Sequence, residues 1–278
     1  MAAVPLIALL TDFGVSDGYP GVMKGVVLGI APATPLVDLT HEIAPQGVRA
    51  GAWVLHTAWR YFPEGSIFLC VVDPGVGSAR RPIALKAEER IFVGPDNGLF
   101  SYILAEHTDI RAVTLANPRY FAARPSDTFH GRDIFAPAAA WLAAGIAFEE
   151  LGPALPVESL ARLDLPHPEW QSNALLAHVI HIDHFGNILT DIRGLWVQTI
   201  FSAPEVRLTI GSQVITARAR TFAEGPEGEL FLYLDSSGCL AIARRNGSAQ
   251  ATLGLPTASL YDATLTITGI EVPRERES

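Results

Sequence analysis

The sequence predicts a two-domain chain: an N-terminal α/β domain with a mostly parallel sheet, followed by a C-terminal all-β domain, either a barrel or a sandwich. Three observations carry this. Up to about residue 165, short apolar runs alternate with helix-period patterns, which argues for an α/β layer. The Pro-containing segment "LDLPHPEWQSN" then interrupts the alternation. Beyond it come short apolar/polar alternations separated by Gly, Ser and Asp turns, with no helix pattern among them, as in an antiparallel barrel or sandwich. The boundaries so read are 1–165 for the first domain, 166–173 for a linker and 174–278 for the second domain.

In the first domain, apolar runs at 6–10, 36–39, 67–72, 83–85, 91–93 and 112–115 read as strands, each short and bounded by turn-forming residues. Helical spacing is expected over 22–30, 48–61, 101–106 and 134–144. Ligands of such sheets bind beyond the carboxyl ends of the strands. Three of the strands run into polar turns there: "TDFG" after the first, "DPG" after the third and "GPDNG" after the fifth. In the second domain "HVIHID", "VRLTI", "QVITARA", "ELFLYLD", "CLAIAR" and "TLTITGI" read as strands.

With 49% hydrophobic and 18% charged residues over 278 positions, the chain is globular rather than disordered. No uninterrupted apolar stretch reaches the ~20 residues of a membrane helix, so no membrane partner is expected. The first five residues lack a basic region and a secretory pattern, so a cytoplasmic location is expected. A net charge of −9 leaves no basic footprint for nucleic acid and is compatible with a small cationic ligand. Cys70 and Cys239, without metal-ligand spacing, read as reduced core residues. There is no internal repeat, Walker sequence, dinucleotide fingerprint or GxSxG elbow.

Several side chains carry possible chemistry. Asp73 ends the third apolar run, on a Pro-Gly turn shortly before Arg80 and Arg81, which fits either a surface ion pair or a charged site. Asp12 and Asp17, in "TDFGVSDGY", fit the binding of ribose hydroxyls or a cation, or else a turn bond and a helix cap. His130, on the loop before a helical run, fits a general base near neutral pH or an ordinary solvated histidine. His178, His181 and His184 alternate faces at strand spacing and make no metal site. Phe185 and Asn187 flank a glycine turn, and Ser236 and Ser237 lie on another; both turns suit a stacked and hydrogen-bonded base, or plain hairpins.

In order along the chain, "TDFG", "DLTHEI", "VVDPGVGSARR", "VGPDNG", "TFHGRDIFAPAAA", "DHFGN" and "SSGCLAIA" resemble the S-adenosyl-L-methionine (SAM) hydrolase, adenosine-forming, or SAM hydroxide adenosyltransferase family. That family is related to the fluorinase and chlorinase. The resemblance implies a homotrimer with SAM held between one subunit's N-domain and a neighbour's C-domain. The implied reaction is attack of water-derived hydroxide on the 5′ carbon, giving adenosine and L-methionine with no cofactor or metal. It places Asp73, Arg80 and His130 around the water, leaving the base open between Asp73 and His130. Asp12 would hold the ribose, and Asp17 and Ser236 the methionine part. Phe185 and Phe222 would flank the adenine, with Asn187 and the backbone near Asn246 bonding it; Phe129 joins the substrate-binding set. The halogenases carry Tyr at the position of Asp73 and lack the histidine at 130, and the fluorinase has an arginine where Ser237 stands.

Overall fold

Two strands with no polar residue before their last position set the centre of the first domain. In the computed structural model, which describes residues 5–272, β1 (Ile7–Thr11) and β3 (Ile67–Val71) are buried along their whole length. Side chains alternate across a strand. Ile7, Leu9, Ile67, Leu69 and Val71 therefore enter one core, and Ala8, Leu10, Phe68, Cys70 and Val72 enter another on the opposite face. A strand buried on both faces requires helices on both sides, and the chain supplies them. Helices α1 (Tyr19–Ile30) and α4 (Ala136–Ala143) cover the first face, while α2 (Val48–Ala58) and α3 (Ser101–Glu106) cover the second.

The remaining strands are β2 (Leu36–Thr40), β4 (Pro82–Ala87), β5 (Arg90–Pro95) and β6 (Ile110–Thr114), and the sheet order is β2-β1-β3-β5-β4-β6. The β1-β2, β1-β3 and β3-β5 pairs are parallel, and β4 runs antiparallel to both neighbours. Because β1, β3 and β5 are adjacent and parallel, their carboxyl-end turns lie side by side. Each expected strand and helix of this domain is present with ends shifted by a few residues.

The chain divides into two compact units between Asp164 and Leu165. In the second unit, β8 (Ala174–Ile182), β9 (Ile188–Arg193), β10 (Arg207–Ile210), β11 (Gln213–Ile215), β12 (Leu230–Leu234), β13 (Cys239–Arg244) and β14 (Thr264–Thr268) follow the order β11-β10-β14-β8-β9-β13-β12. All these pairs are antiparallel. Just past β11 the backbone bonds β12: Leu232 N–H donates to Ala217 at 2.9 Å and Ala219 N–H to Leu232 at 3.0 Å. The two ends of the sheet thus meet, and the unit is a nearly closed barrel around a core that includes Val179, Leu208, Leu232 and Ile242.

Three features depart from expectation. The segment read as a linker contains β7 (Glu169–Gln171), paired antiparallel with β8. The second unit has helices α5 (Leu195–Ser202), α6 (Ala249–Leu253) and α7 (Thr257–Tyr261) where none was expected. Helix α5 escapes a sequence reading because Trp, Val, Thr, Ile and Phe favour strands and because its N-cap, Gly194, makes no side-chain cap. Finally, Asp17 does not cap α1, whose N-cap is Gly18 without a side-chain bond. Both cysteines are free and buried, as expected. Residues 1–4, on which the expectation of no signal partly rests, and 273–278 of the second domain lie outside the described residues. Among the described residues no helix is long and apolar enough to cross a membrane.

The β3-β5 pair fixes where Asp73 emerges, and it is tight. A Cβ added at Gly94 would lie 2.3 Å from the Cys70 carbonyl oxygen and 3.0 Å from the Phe100 ring. Gly94→Ala should therefore lower stability by about 2 to 3 kcal/mol, read as a reduced urea midpoint; an unchanged midpoint would contradict this close approach.

Candidate active site

At the edge where β1, β3 and β5 end, the turn 73–80 folds back so that Arg80 meets Asp73. Arg80 Nε donates to Asp73 Oδ1 at 2.9 Å and Nη2 donates to Asp73 Oδ2, a two-pronged ion pair. Nη2 also donates to His130 Nδ1 at 2.6 Å. The guanidinium carbon lies 5.3 Å from the centre of the buried Phe135 ring. Side-chain exposure is only 8% for Arg80 and 5% for Asp73, so the pair is no surface bridge. The neighbouring Arg81 turns away, bonding Asp96 Oδ2 from Nε at 2.8 Å and Ser159. The residue types alone do not separate the two arginines, whereas the family resemblance singles out Arg80.

Two glycines allow this. Gly75 lies where a Cβ would approach Arg80 Cγ at 3.2 Å. Gly77 has φ +77° and packs so closely on the loop before His130 that a Cβ would sit 2.7 Å from the Asp127 carbonyl oxygen. On the other side, Gly131–Phe135 form a π-helical turn that runs into α4 and starts at His130. Asp133 in that turn is buried and bonds Ser126 N–H at 2.8 Å and Arg132 Nε at 2.7 Å, tying the 126–130 loop down. The Arg132 bonds hold the Asp133 carboxyl below its usual range despite burial, helped by Ser126.

The tautomer of His130 follows from its partner. A guanidinium can only donate, so Nδ1 accepts, the ring is neutral and its proton sits on Nε2. Burial first, and the Arg80 charge second, push the His130 pKa below the ordinary value of 6.5, against the opposing pull of Asp73, Asp127 and Asp133.

Asp73 and His130 line a cavity of about 370 Å³ with Phe13, Tyr19, Val76 and Phe129. Phe129 stands 5.2 Å from Tyr19 and 5.8 Å from Phe13, ring centre to ring centre, forming an apolar wall. Asp12 lies on the same edge, its Oδ2 accepting from Gln46 N–H at 2.8 Å, and Asp17 is exposed on the turn that follows.

In the second unit the remaining site candidates fall on turns. Phe185 is 73% exposed beside Gly186, while Asn187 is buried, its Nδ2 donating to Asp183 Oδ2 at 2.7 Å. Asp183 also accepts from the backbone N–H of Phe185 and Asn187 and so organises the whole turn; sequence reasoning passed over it. This turn packs on the 246–250 segment, since Gln250 N–H donates to the Gly186 carbonyl at 3.0 Å. Asn246 adopts φ 54° there and is exposed. Phe222 is half-exposed, its ring 4.9 Å from Tyr233. Burial, and then the charges of the Asp183 and Asp235 carboxylates, push the Tyr233 hydroxyl upward. Ser236 is exposed, and the Ser237 hydroxyl is committed to Asp235 Oδ1 at 2.7 Å.

Residues 7–152 match the SAM hydroxide adenosyltransferase N-terminal domain and residues 177–260 its C-terminal domain. This chain belongs to that family. Among its relatives, proteins named (R)-S-adenosyl-L-methionine hydrolase are 40% identical in Salinispora tropica (92% of this chain, 96% of the relative) and 43% identical in Thermus thermophilus (90% and 95%). A fluorinase of an Actinoplanes species is 32% identical over 95% of this chain and 97% of its own. A crystal structure of an uncharacterized conserved protein from Thermotoga maritima superposes with a TM-score of 0.85 at 34% identity, covering 94% of this chain and all of that one. The N-terminal match lies within the first unit and the C-terminal match within the second.

The His130 geometry has a pH consequence. A histidine whose folded pKa lies below its unfolded value favours the neutral ring in the native state; its contribution to stability is present above the unfolded value and is lost as pH falls towards the folded one. Its imidazole resonances in NMR should titrate with a midpoint below 6.5, and Arg80→Leu should move that midpoint upward. A midpoint at or above the free-histidine value would contradict the Arg80 contact.

Proposed function

We propose that this family member hydrolyses S-adenosyl-L-methionine to adenosine and L-methionine, with Asp73, Arg80 and His130 handling the attacking water. The observation that carries the reading is the buried Asp73–Arg80–His130 contact at the wall of the cavity. The leaving group is a sulfonium, which departs as a neutral thioether and needs no acid. The chemical burden therefore falls on aligning a water with the 5′ carbon and drawing off its proton. Arg80 covers the His130 Nδ1 lone pair. In this arrangement Asp73 is the group left to accept the proton, since a carboxylate keeps lone pairs beyond the two that Arg80 engages. His130 then contributes its Nε2–H, which can hold the water's oxygen, and Arg80 stabilises the developing hydroxide.

The apolar wall of Phe13, Tyr19 and Phe129 would exclude bulk water from the reacting carbon. Asp12 would take the ribose hydroxyls, and Asp17 and Ser236 the methionine part. Phe185, Phe222, Asn187 and the backbone near Asn246 would hold the adenine. No cofactor or metal enters this reading. A cytoplasmic location belongs to it and is supported by the two free cysteines.

Purified protein incubated with SAM in ¹⁸O-water should release methionine and adenosine labelled at the 5′ hydroxyl; unlabelled adenosine would rule out attack by solvent water. Asp73→Asn keeps the size and removes the charge, so kcat should fall by about 10² or more while KM changes less. Unchanged turnover in that variant would reduce the Asp73–Arg80 pair to a structural one.

The proposal extends to a homotrimer in which a neighbouring copy supplies the adenine-holding residues. Native mass spectrometry should show the trimer. Mixing inactive His130→Ala protein with inactive Asn187→Ala/Phe222→Ala protein should restore activity, and no recovery in confirmed mixed trimers would count against shared sites.

A further inference from the structure

The motif "DLTHEI" has no part in the chemistry described so far, yet the structure buries its histidine behind the Asp12 turn. His41 is 5% exposed and Thr11 is fully buried. Thr11 Oγ1 meets His41 Nδ1 at 2.8 Å, His41 Nε2 meets Asp38 Oδ1 at 3.0 Å, and Lys24 Nζ donates to Asp38 Oδ2 at 2.6 Å. The chain of bonds thus starts on α1, crosses β2 and ends on the last residue of β1.

The Asp38 end of this chain has a definite direction. Burial opposes the charge on Asp38, but the bonds from Lys24 and His41 hold its carboxyl below the usual range. An ionised Asp38 accepts from both, so His41 Nε2 carries a proton. Nδ1 shares a hydrogen bond with the Thr11 hydroxyl, whose oxygen also receives Phe13 N–H at 3.3 Å. The His41 backbone carbonyl adds a further bond to the same turn, accepting from Gly14 N–H at 2.8 Å.

One residue therefore grips the Asp12 turn from both sides: its ring holds Thr11, and its carbonyl holds Gly14. The loop that His41 begins also supplies Gln46, whose N–H holds Asp12 Oδ2 at 2.8 Å. Gln46 reaches that position in the left-handed region, at φ 65°. The aim of the Asp12 carboxylate thus depends on where the 41–46 loop is anchored, and the anchor is the His41–Asp38–Lys24 chain. Both ring nitrogens of His41 are satisfied, one by Asp38, which Lys24 holds in turn, and the other by a threonine that ends β1 beside the Asp12 turn.

We propose that His41, held by Asp38 and Lys24, is a positioning residue that sets the Asp12 carboxylate for the ribose hydroxyls of the substrate. The inference rests on the ribose role given to Asp12 above. His41 touches neither water nor substrate. It acts by keeping two loops in register, and misplacement of a binding group by about 1 Å costs up to about 10² in rate.

The test separates a loosened Asp12 from a generally damaged site by using a ligand that lacks what Asp12 binds. Adenosine and 2′,3′-dideoxyadenosine are titrated calorimetrically into the full-length wild type, Asp12→Asn, His41→Ala and His41→Asn. The wild type should bind adenosine more tightly than the dideoxy compound, and Asp12→Asn should remove that preference. His41→Ala should weaken adenosine by about tenfold or more and the dideoxy compound by less than about threefold. His41→Asn, which keeps a short amide facing Thr11, should recover part of the preference, and it carries the test if His41→Ala does not fold. Equal weakening of both ligands, or an unchanged preference in the His41 variants, overturns the inference alone. A wild type without preference, or an Asp12→Asn protein that retains it, removes the ribose role of Asp12 and this inference with it.

Discussion

Burying a charge is expensive, and the Asp73–Arg80 pair meets that cost only because three separate pieces of chain converge on it. A guanidinium nine-tenths enclosed needs a carboxylate in a matching two-pronged geometry, further acceptors for its remaining hydrogens and a low-polarity surface it can stack on. Asp73 provides the first from the end of β3, His130 the second from the start of the π turn, and Phe135 the third from one turn further along the same helix. Removing the carboxylate leaves a buried charge uncompensated, and removing His130 leaves one of its hydrogens without that acceptor. The pair therefore ties the turn after β3 to the helix that covers the first core, and it fixes the protonation state of the histidine at the same time.

The sheet topology makes that convergence possible. Adjacent parallel strands deliver their turns to one edge, so residues 12, 73 and 96 are brought together without long loops. Each of those acids has a different occupation. Asp73 faces the cavity and Arg80, Asp96 is used by Arg81 and the Ala161 N–H, and Asp12 is bound to the loop after β2. The same edge thus carries one acid paired with a buried arginine at the cavity, one joining an arginine to a backbone N–H and one held by a neighbouring loop.

What could be read from the sequence was what depends on local pattern. The strands and helices of the first unit were legible because apolar runs and helix periods are long enough there to be distinct, and because Asp, Pro and Gly mark the ends of β1, β3 and β5. The antiparallel placement of β4 was not, since a hairpin and a crossover present the same apolar run. Strand β9 was hidden behind the "DHFGN" turn, and α5 by its strand-favouring residues. Within the site, motif order picked out Asp73, Arg80 and His130, but not the use of Arg81 on Asp96, nor Asp133 or Asp183, whose roles appear only when their hydrogen-bond partners are known.

The π turn at Gly131–Phe135 is one residue longer per turn than an α-helix would need, and it lies between a well-packed helix and the histidine. Each residue of a helix rotates the chain by ~100° about the axis. Deleting a single codon there would let the turn relax to α geometry, leave Ala136–Ala143 packed as it is, and swing position 130 to a different bearing over the cavity. The fold thus carries the side chain at position 130 on an adjustable mount: a one-residue change in length re-aims it over the cavity while the core remains a constant support.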